Sequence, residues 1–226
     1  MSEELHEYPL PSGKKPRRKK RVLVTVIVAT AIAVQGALGL YYFFSHRGTP
    51  GTGVVLPDWV EQDLLPLNPN SRPGTPLRKI KGIVVHYVAN PGTSAQANRN
   101  YFANLSITRE TYASSHFIVG LEGEVIQCVP LTEISYCSNN RNQDTLAIEV
   151  CHPEADGKFT DASYDSLVRL TAWLCHTFQL HSEDVIRHYD VTGKLCPLYF
   201  VDHEDAWLAF RSHVEDAIQA LEQSET

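Results

Sequence analysis

From Val22 to Phe44 the chain runs 23 positions without a charged side chain, and Gln35 is the only strongly polar one among them. As a helix rising about 1.5 Å per residue, the run is roughly 35 Å long, enough for a hydrocarbon core of about 30 Å. Tyr41 and Tyr42 lie near its far end, where interfacial aromatic rings are expected. Seven Lys and Arg residues fall between Lys14 and Arg21, against His46 and Arg47 after the run. The positive-inside rule then makes residues 1–21 a basic cytoplasmic tail and residues 22–44 a transmembrane helix, with everything after residue 47 outside. A second reading stays open, because Ala29-Thr30-Ala31 and Ala31-Ile32-Ala33 have the small-x-small form of a signal-peptide cleavage site. The apolar run continues eleven residues past Ala33, unlike the polar start of most mature chains, which favours the anchor. Both readings export the rest of the chain.

Charge separates that rest from its tail. Eight of the 20 Lys and Arg residues, but only three of the 26 acidic ones, lie in residues 1–47, so the remainder carries 12 basic and 23 acidic groups. Such a domain is unsuited to nucleic acid, whose binding depends on neutralising phosphates. The basic cluster could form a phosphate-binding patch in isolation, but its position against the apolar run assigns it to membrane topology. With 43% hydrophobic and 20% charged residues, the chain is globular in composition.

Residues 45–77 read as a linker and irregular segment: Gly48 to Gly53 is a flexible spacer, and six of the 13 prolines lie between Pro50 and Pro76. The folded unit therefore begins between residues 58 and 78. Ile80 to Val88 is short and β-branched, the pattern of a buried strand, and Ser94 to Leu105 suits a helix. His116 to Gly120 and Glu124 to Val129 are strand-like around a hairpin turn at Leu121-Glu122-Gly123, and Leu146 to Cys151 is a further strand. Tyr164, Leu167, Val168, Thr171, Leu174, Cys175 and Phe178 recur at helical spacing after a cap at Thr160 or Asp161. A last helix carries Trp207, Phe210, Val214, Ile218 and Leu221 on one face. Strands interleaved with amphipathic helices predict a single α/β domain, a central mixed sheet flanked by helices.

His86 sits within the apolar strand Gly82-Ile-Val-Val-His-Tyr-Val88, and His188 within Val185-Ile-Arg-His-Tyr189, followed by Lys194 and Cys196. A lone histidine on an apolar strand is more often a hydrogen-bonded core residue than a ligand. Two histidines and a cysteine together suit zinc, with three protein ligands and a fourth position open to water at a catalytic site. Their wide spacing departs from the close ligand pairs of structural zinc sites.

These segments, with Ser114-Ser-His-Phe-Ile-Val-Gly120, Thr145-Leu-Ala-Ile-Glu-Val150 and above all His188-Tyr-Asp-Val-Thr-Gly-Lys-Leu-Cys196, resemble the zinc-dependent N-acetylmuramoyl-L-alanine amidases. That group includes phage amidase lysozymes and the peptidoglycan recognition proteins. The likeness covers roughly residues 78–212, and its most specific element is the placement of Lys194 and Cys196 six and eight positions after His188. The resemblance implies that residues 78–226 are the catalytic domain, that His86, His188 and Cys196 bind Zn2+, and that peptidoglycan is the substrate. It makes Glu149 the general base and Lys194 the cation that stabilises the oxyanion. Zinc chemistry agrees with these roles: the ion lowers the pKa of a bound water from about 15.7 to about 7 and polarises the carbonyl. Glu149 has a plainer alternative, a salt bridge to Arg187 or Arg141. His116 is expected to be structural or to support the site, and Ser115 replaces the tyrosine that some phage members place before it. Cys137 stands where family members carry a histidine in a Trp-His-Ala-Gly segment. With Cys196 on zinc, Cys128, Cys137, Cys151 and Cys175 remain, permitting three disulfide pairings outside the membrane, although Cys175 fits a buried thiol. The alternative function is a membrane-anchored module that recognises muropeptides without cutting them.

Overall fold

The computed structural model describes residue 30, residues 32–41 and residues 48–224. Residues 30 and 32–41 are helical; the rest of the 22–44 run and the basic tail 1–21 lie outside the described residues. Among the described residues, no helix is long and apolar enough to cross a membrane. The chain divides into two units, Met1–Ser45 and His46–Thr226, and the sheet belongs to the second.

That sheet is mixed, with six strands in the order β1-β4-β3-β5-β2-β6: β1 (Val60–Gln62), β2 (Ile83–Tyr87), β3 (Phe117–Val119), β4 (Val125–Gln127), β5 (Leu146–Val150) and β6 (Val185–Arg187). β3, β5, β2 and β6 run parallel, while β4 turns back against β3 in the expected hairpin and β1 joins parallel to β4. The hairpin closes through Gly123 at φ 84°, a left-handed conformation that glycine takes without strain. Ile83, Val84 and Val85 are fully buried, as strands covered on both faces require.

Helices cover both faces. α1 (Ala95–Thr108) begins where the Ser94 Oγ accepts the Ala97 amide at 3.2 Å, and it runs three residues beyond the expected Leu105. α2 (Asp161–Phe178) is capped by Thr160, whose Oγ1 accepts the Ser163 amide at 3.0 Å. Two short helices, α3 (His188–Thr192) and α4 (Leu198–Asp202), lead into α5 (Glu204–Ser224). α2 and α5 pack together on one face, where Leu167, Leu170, Phe210 and Val214 meet Ile83, Val85, Phe117 and Ile148. α1 packs on β3 and β4 from the other side, burying Phe102 and Leu105 against Ile118 and Ile126. Because side chains alternate along a strand, His86 and Glu149 fall on the face opposite Val85 and Ile148.

The segment 45–77 is not simply a linker. Val60–Gln62 forms the edge strand β1, Leu65 and Leu77 are fully buried, and the amides of Asp63 and Leu65 bond to the carbonyls of Gln127 and Cys128. Three residues reading Val-Glu-Gln have no apolar alternation, so backbone pairing with β4 holds them in the sheet. The folded unit thus includes residues before 78.

Candidate active site

Sheet register brings the first two residues together. His86 and Glu149 are the fourth residues of β2 and β5 and lie directly opposite one another across a parallel pair. They therefore share a face near the carboxyl ends of adjacent strands, where α/β sheets place their ligands. β6 flanks β2 on its other side, and His188 follows it immediately as the first residue of α3. That helix is five residues long and ends at Gly193, φ 79°, after which the chain doubles back. The Tyr189 amide bonds to the Cys196 carbonyl at 2.9 Å, so Cys196 returns to the histidines while Lys194 stays exposed on the turn.

The Cys196 Sγ lies 3.7 Å from His86 Nδ1, and the rings of His86 and His188 are 4.6 Å apart. One ligand atom from each of His86, His188 and Cys196 falls within 4.8 Å of the others, and a second such group joins His86, Cys137 and Glu149. All five predicted site residues are thus accounted for, with four converging in the interior and Lys194 on the rim.

Burial sets the electrostatics. It holds His86 well below the ordinary imidazole range, with His188 and the Lys194 charge adding to the effect. Burial and then Lys194 also lower His188. Both rings are therefore neutral near pH 7, the form that binds metal. Burial pushes the Cys196 thiol up to about 12, with the Glu149 charge reinforcing it and Lys194 opposing. A metal bound there would have to displace that proton.

Glu149 is raised to about 8, again mainly by burial, against the opposing Cys137 hydrogen bond and Lys194 charge. The salt bridge considered for it does not form: Arg187 pairs with Asp190 and Glu204, and Arg141 with Asp144. Its Oε1 instead accepts from the Cys137 thiol at 3.5 Å, while Oε2 is buried without a hydrogen-bond partner. His188 Nδ1 is likewise buried and unpartnered. Unmet buried polar atoms are costly, and a divalent cation would satisfy the imidazole nitrogen. The donor set and this unmet nitrogen fit such an ion.

A loop of which sequence reasoning singled out only Cys137 completes it. Cys137, Ser138 and Asn139 contact three successive site groups: Glu149, His86 Nε2 at 3.1 Å through the Ser138 Oγ, and His188 Nε2 at 2.8 Å through the Asn139 Oδ1. The signal in the sequence was Cys137, which stands where family members carry a histidine; nothing there marked Ser138 or Asn139. His116 lies elsewhere in the hydrogen-bond network, its Nδ1 accepting the Ala147 amide at 3.0 Å and its Nε2 lying 2.9 Å from the Glu133 carbonyl. Burial brings its pKa down to about 4, against the pull of Glu133, so it ties β5 to the neighbouring loop as a neutral ring. All five cysteines are unpaired.

Comparison with known proteins agrees with this architecture. A family model described as N-acetylmuramoyl-L-alanine amidase matches residues 76–198. A probable N-acetylmuramoyl-L-alanine amidase of Bacillus licheniformis is 34% identical over 171 residues, covering 70% of this chain and 48% of that protein. The N-acetylmuramoyl-L-alanine amidase BlyA of Bacillus subtilis (strain 168) is 32% identical over 172 residues, 67% of this chain and 45% of that protein. The chain thus spans about half the length of the curated relatives it matches. Among solved structures, the catalytic domain of XlyA superposes with a TM-score of 0.59 at 28% identity, covering 69% of this chain and 98% of that one. Since the family match spans more than half of its residues and takes in five of the six strands, with His86, Glu149, His188 and Cys196, the chain belongs to the N-acetylmuramoyl-L-alanine amidase family.

Proposed function

We propose that this domain hydrolyses the amide between N-acetylmuramic acid and L-alanine in peptidoglycan, with one zinc ion held by His86, His188 and Cys196. The observation that carries the reading is the convergence of those three donors, two of them 110 positions apart in sequence, beside the partly unsatisfied carboxylate of Glu149. Zinc, when bound, supplies a water acidic enough to ionise near neutral pH and a Lewis acid for the carbonyl.

The chain's own groups do the rest. Glu149 takes the proton of the attacking water and delivers it to the leaving amine of L-alanine. Burial raises its affinity for a proton, and the Lys194 charge, together with any cation in the cradle, tempers that rise, so the carboxyl can both accept and release near neutral pH. The ammonium of Lys194 acts on His86, His188, Glu149 and Cys196 together, which suits it to offset charge developing on the carbonyl oxygen. We also propose that residues 22–44 anchor the chain, with the amino terminus cytoplasmic and the domain facing the wall; the uncharged run and the preceding basic cluster support this.

The decisive assay is digestion of purified peptidoglycan. It is expected to release stem peptides with free L-alanine amino termini and no new reducing sugar ends. Glu149→Ala should lower the rate about 10²- to 10⁴-fold while zinc stays bound. Muropeptide binding without cleavage would assign the chain to recognition instead.

A further inference from the structure

We infer that Asn139 fixes the tautomer and aim of His188 and Ser138 the aim of His86, making the loop from Cys137 to Asn142 a positioning element for the metal. The inference rests on the metal site proposed above.

The tautomer follows from the partner's chemistry. An amide oxygen has only lone pairs to offer, so the Asn139 Oδ1, 2.8 Å from His188 Nε2, accepts an N–H from that nitrogen. The neutral ring then carries its lone pair on Nδ1, the buried atom that has no partner. His86 is held in the same sense by a hydroxyl, which can accept or donate: its Nε2 is 3.1 Å from the Ser138 Oγ, and its Nδ1 faces the Cys196 Sγ at 3.7 Å. In both rings Nε2 thus meets the loop and Nδ1 is left to the interior, and one ligand atom of each ring lies within 4.8 Å of the other and of the thiol.

The loop is fixed well enough to impose this. The Asn142 Oδ1 accepts the amides of both Cys137 and Ser138, at 3.1 and 2.6 Å. The Tyr136 amide just before them bonds to the Ser114 Oγ at 3.0 Å. Asn139 itself sits at φ 53°, a left-handed conformation that asparagine accepts and most residues resist. α3 is a single short turn, so the aim of His188 depends on the partner of its far nitrogen. Groups that hydrogen-bond the outer nitrogen of a metal-binding histidine typically contribute about 10- to 100-fold in affinity.

The test uses the full chain in detergent and reads zinc affinity by competition with a chromophoric chelator. Asn139→Gly removes the acceptor while keeping the backbone conformation accessible, and it should weaken zinc binding about 10- to 100-fold. Asn139→Asp keeps an oxygen in place and should retain tight binding; Ser138→Ala should weaken it in the same range. Imidazole nitrogen chemical shifts of the metal-free protein should show His188 as the Nε2–H tautomer, becoming a mixture in Asn139→Gly. Zinc binding unchanged in Asn139→Gly, equal weakening in Asn139→Asp, or an Nδ1–H tautomer in the native protein would each overturn the inference. A native protein that binds no zinc would overturn the metal site itself, a separate failure seen before any variant is made.

Discussion

Glu149 should make the metal-free protein less stable as pH rises, and removing its charge should abolish that trend. In the unfolded chain the carboxyl titrates near 4.5, whereas burial raises it to about 8 in the fold. Between those values the native state holds one proton more than the unfolded state, so stability falls by about 1.4 kcal/mol for each pH unit gained. The contribution is fully present below the unfolded pKa and lost as pH climbs through the folded one. From pH 5 to pH 8, allowing for partial titration at both ends, the loss amounts to roughly 3 to 4 kcal/mol. Urea unfolding of chelator-treated protein across this range measures it. Glu149→Gln keeps an oxygen for the Cys137 thiol and removes the titration, so the difference between native and variant should change by that amount. His86, His188 and His116 titrate in both proteins and drop out of the difference. Parallel stability curves for the two proteins would refute the assignment of Glu149 as a carboxyl forced by its surroundings to hold a proton.

Three further outcomes follow from the same geometry. His86→Ala and His188→Ala should each lose the metal by elemental analysis, since each supplies one of three donors; loss in only one of them would mean that the ligand set is wrong. Lys194→Ala should slow peptidoglycan cleavage by about 10²- to 10³-fold with zinc content unchanged, whereas loss of zinc would make it a structural residue. Phe210→Ala should cost about 3 to 5 kcal/mol in urea, because the ring is fully buried and stacks on Phe200 at 5.3 Å and Trp207 at 5.4 Å.

Most of the sheet was readable because buried parallel strands are short apolar runs, and β2 and β5 have that form. The long helices were readable, α2 and α5 from their periodicity and α1 from a stretch without Pro or Gly, and the Thr160 hydroxyl caps α2 as its position suggested; the short α3 and α4 were not. β1 was not, because Val-Glu-Gln joins the sheet through backbone bonds that leave no apolar pattern. At the site, the offsets from His188 to Lys194 and Cys196 could be read because one short helix and one turn fix them locally. The contacts of Ser138 and Asn139 could not, since they depend on how a loop from one part of the chain meets a strand end and a helix start from two others. Cys137 was noted for what it replaces, but its contact with Glu149 needed the register of the sheet.

The ladder between β2 and β5 sets His86 beside Glu149, so their spacing can change only in whole-residue steps. A slip of one position would carry Glu149 through the sheet to the side of Ile148 and the large helices. Substitutions of the buried apolar residues that hold this register should therefore give all-or-nothing outcomes, with the site intact or a chain that no longer folds. Graded change has to come from the rim, where Asn139, Asn140, Lys194 and Leu195 are exposed on loops that carry none of the ladder. A library meant to retune rate or stem-peptide preference belongs in those two loops, with the strands held fixed.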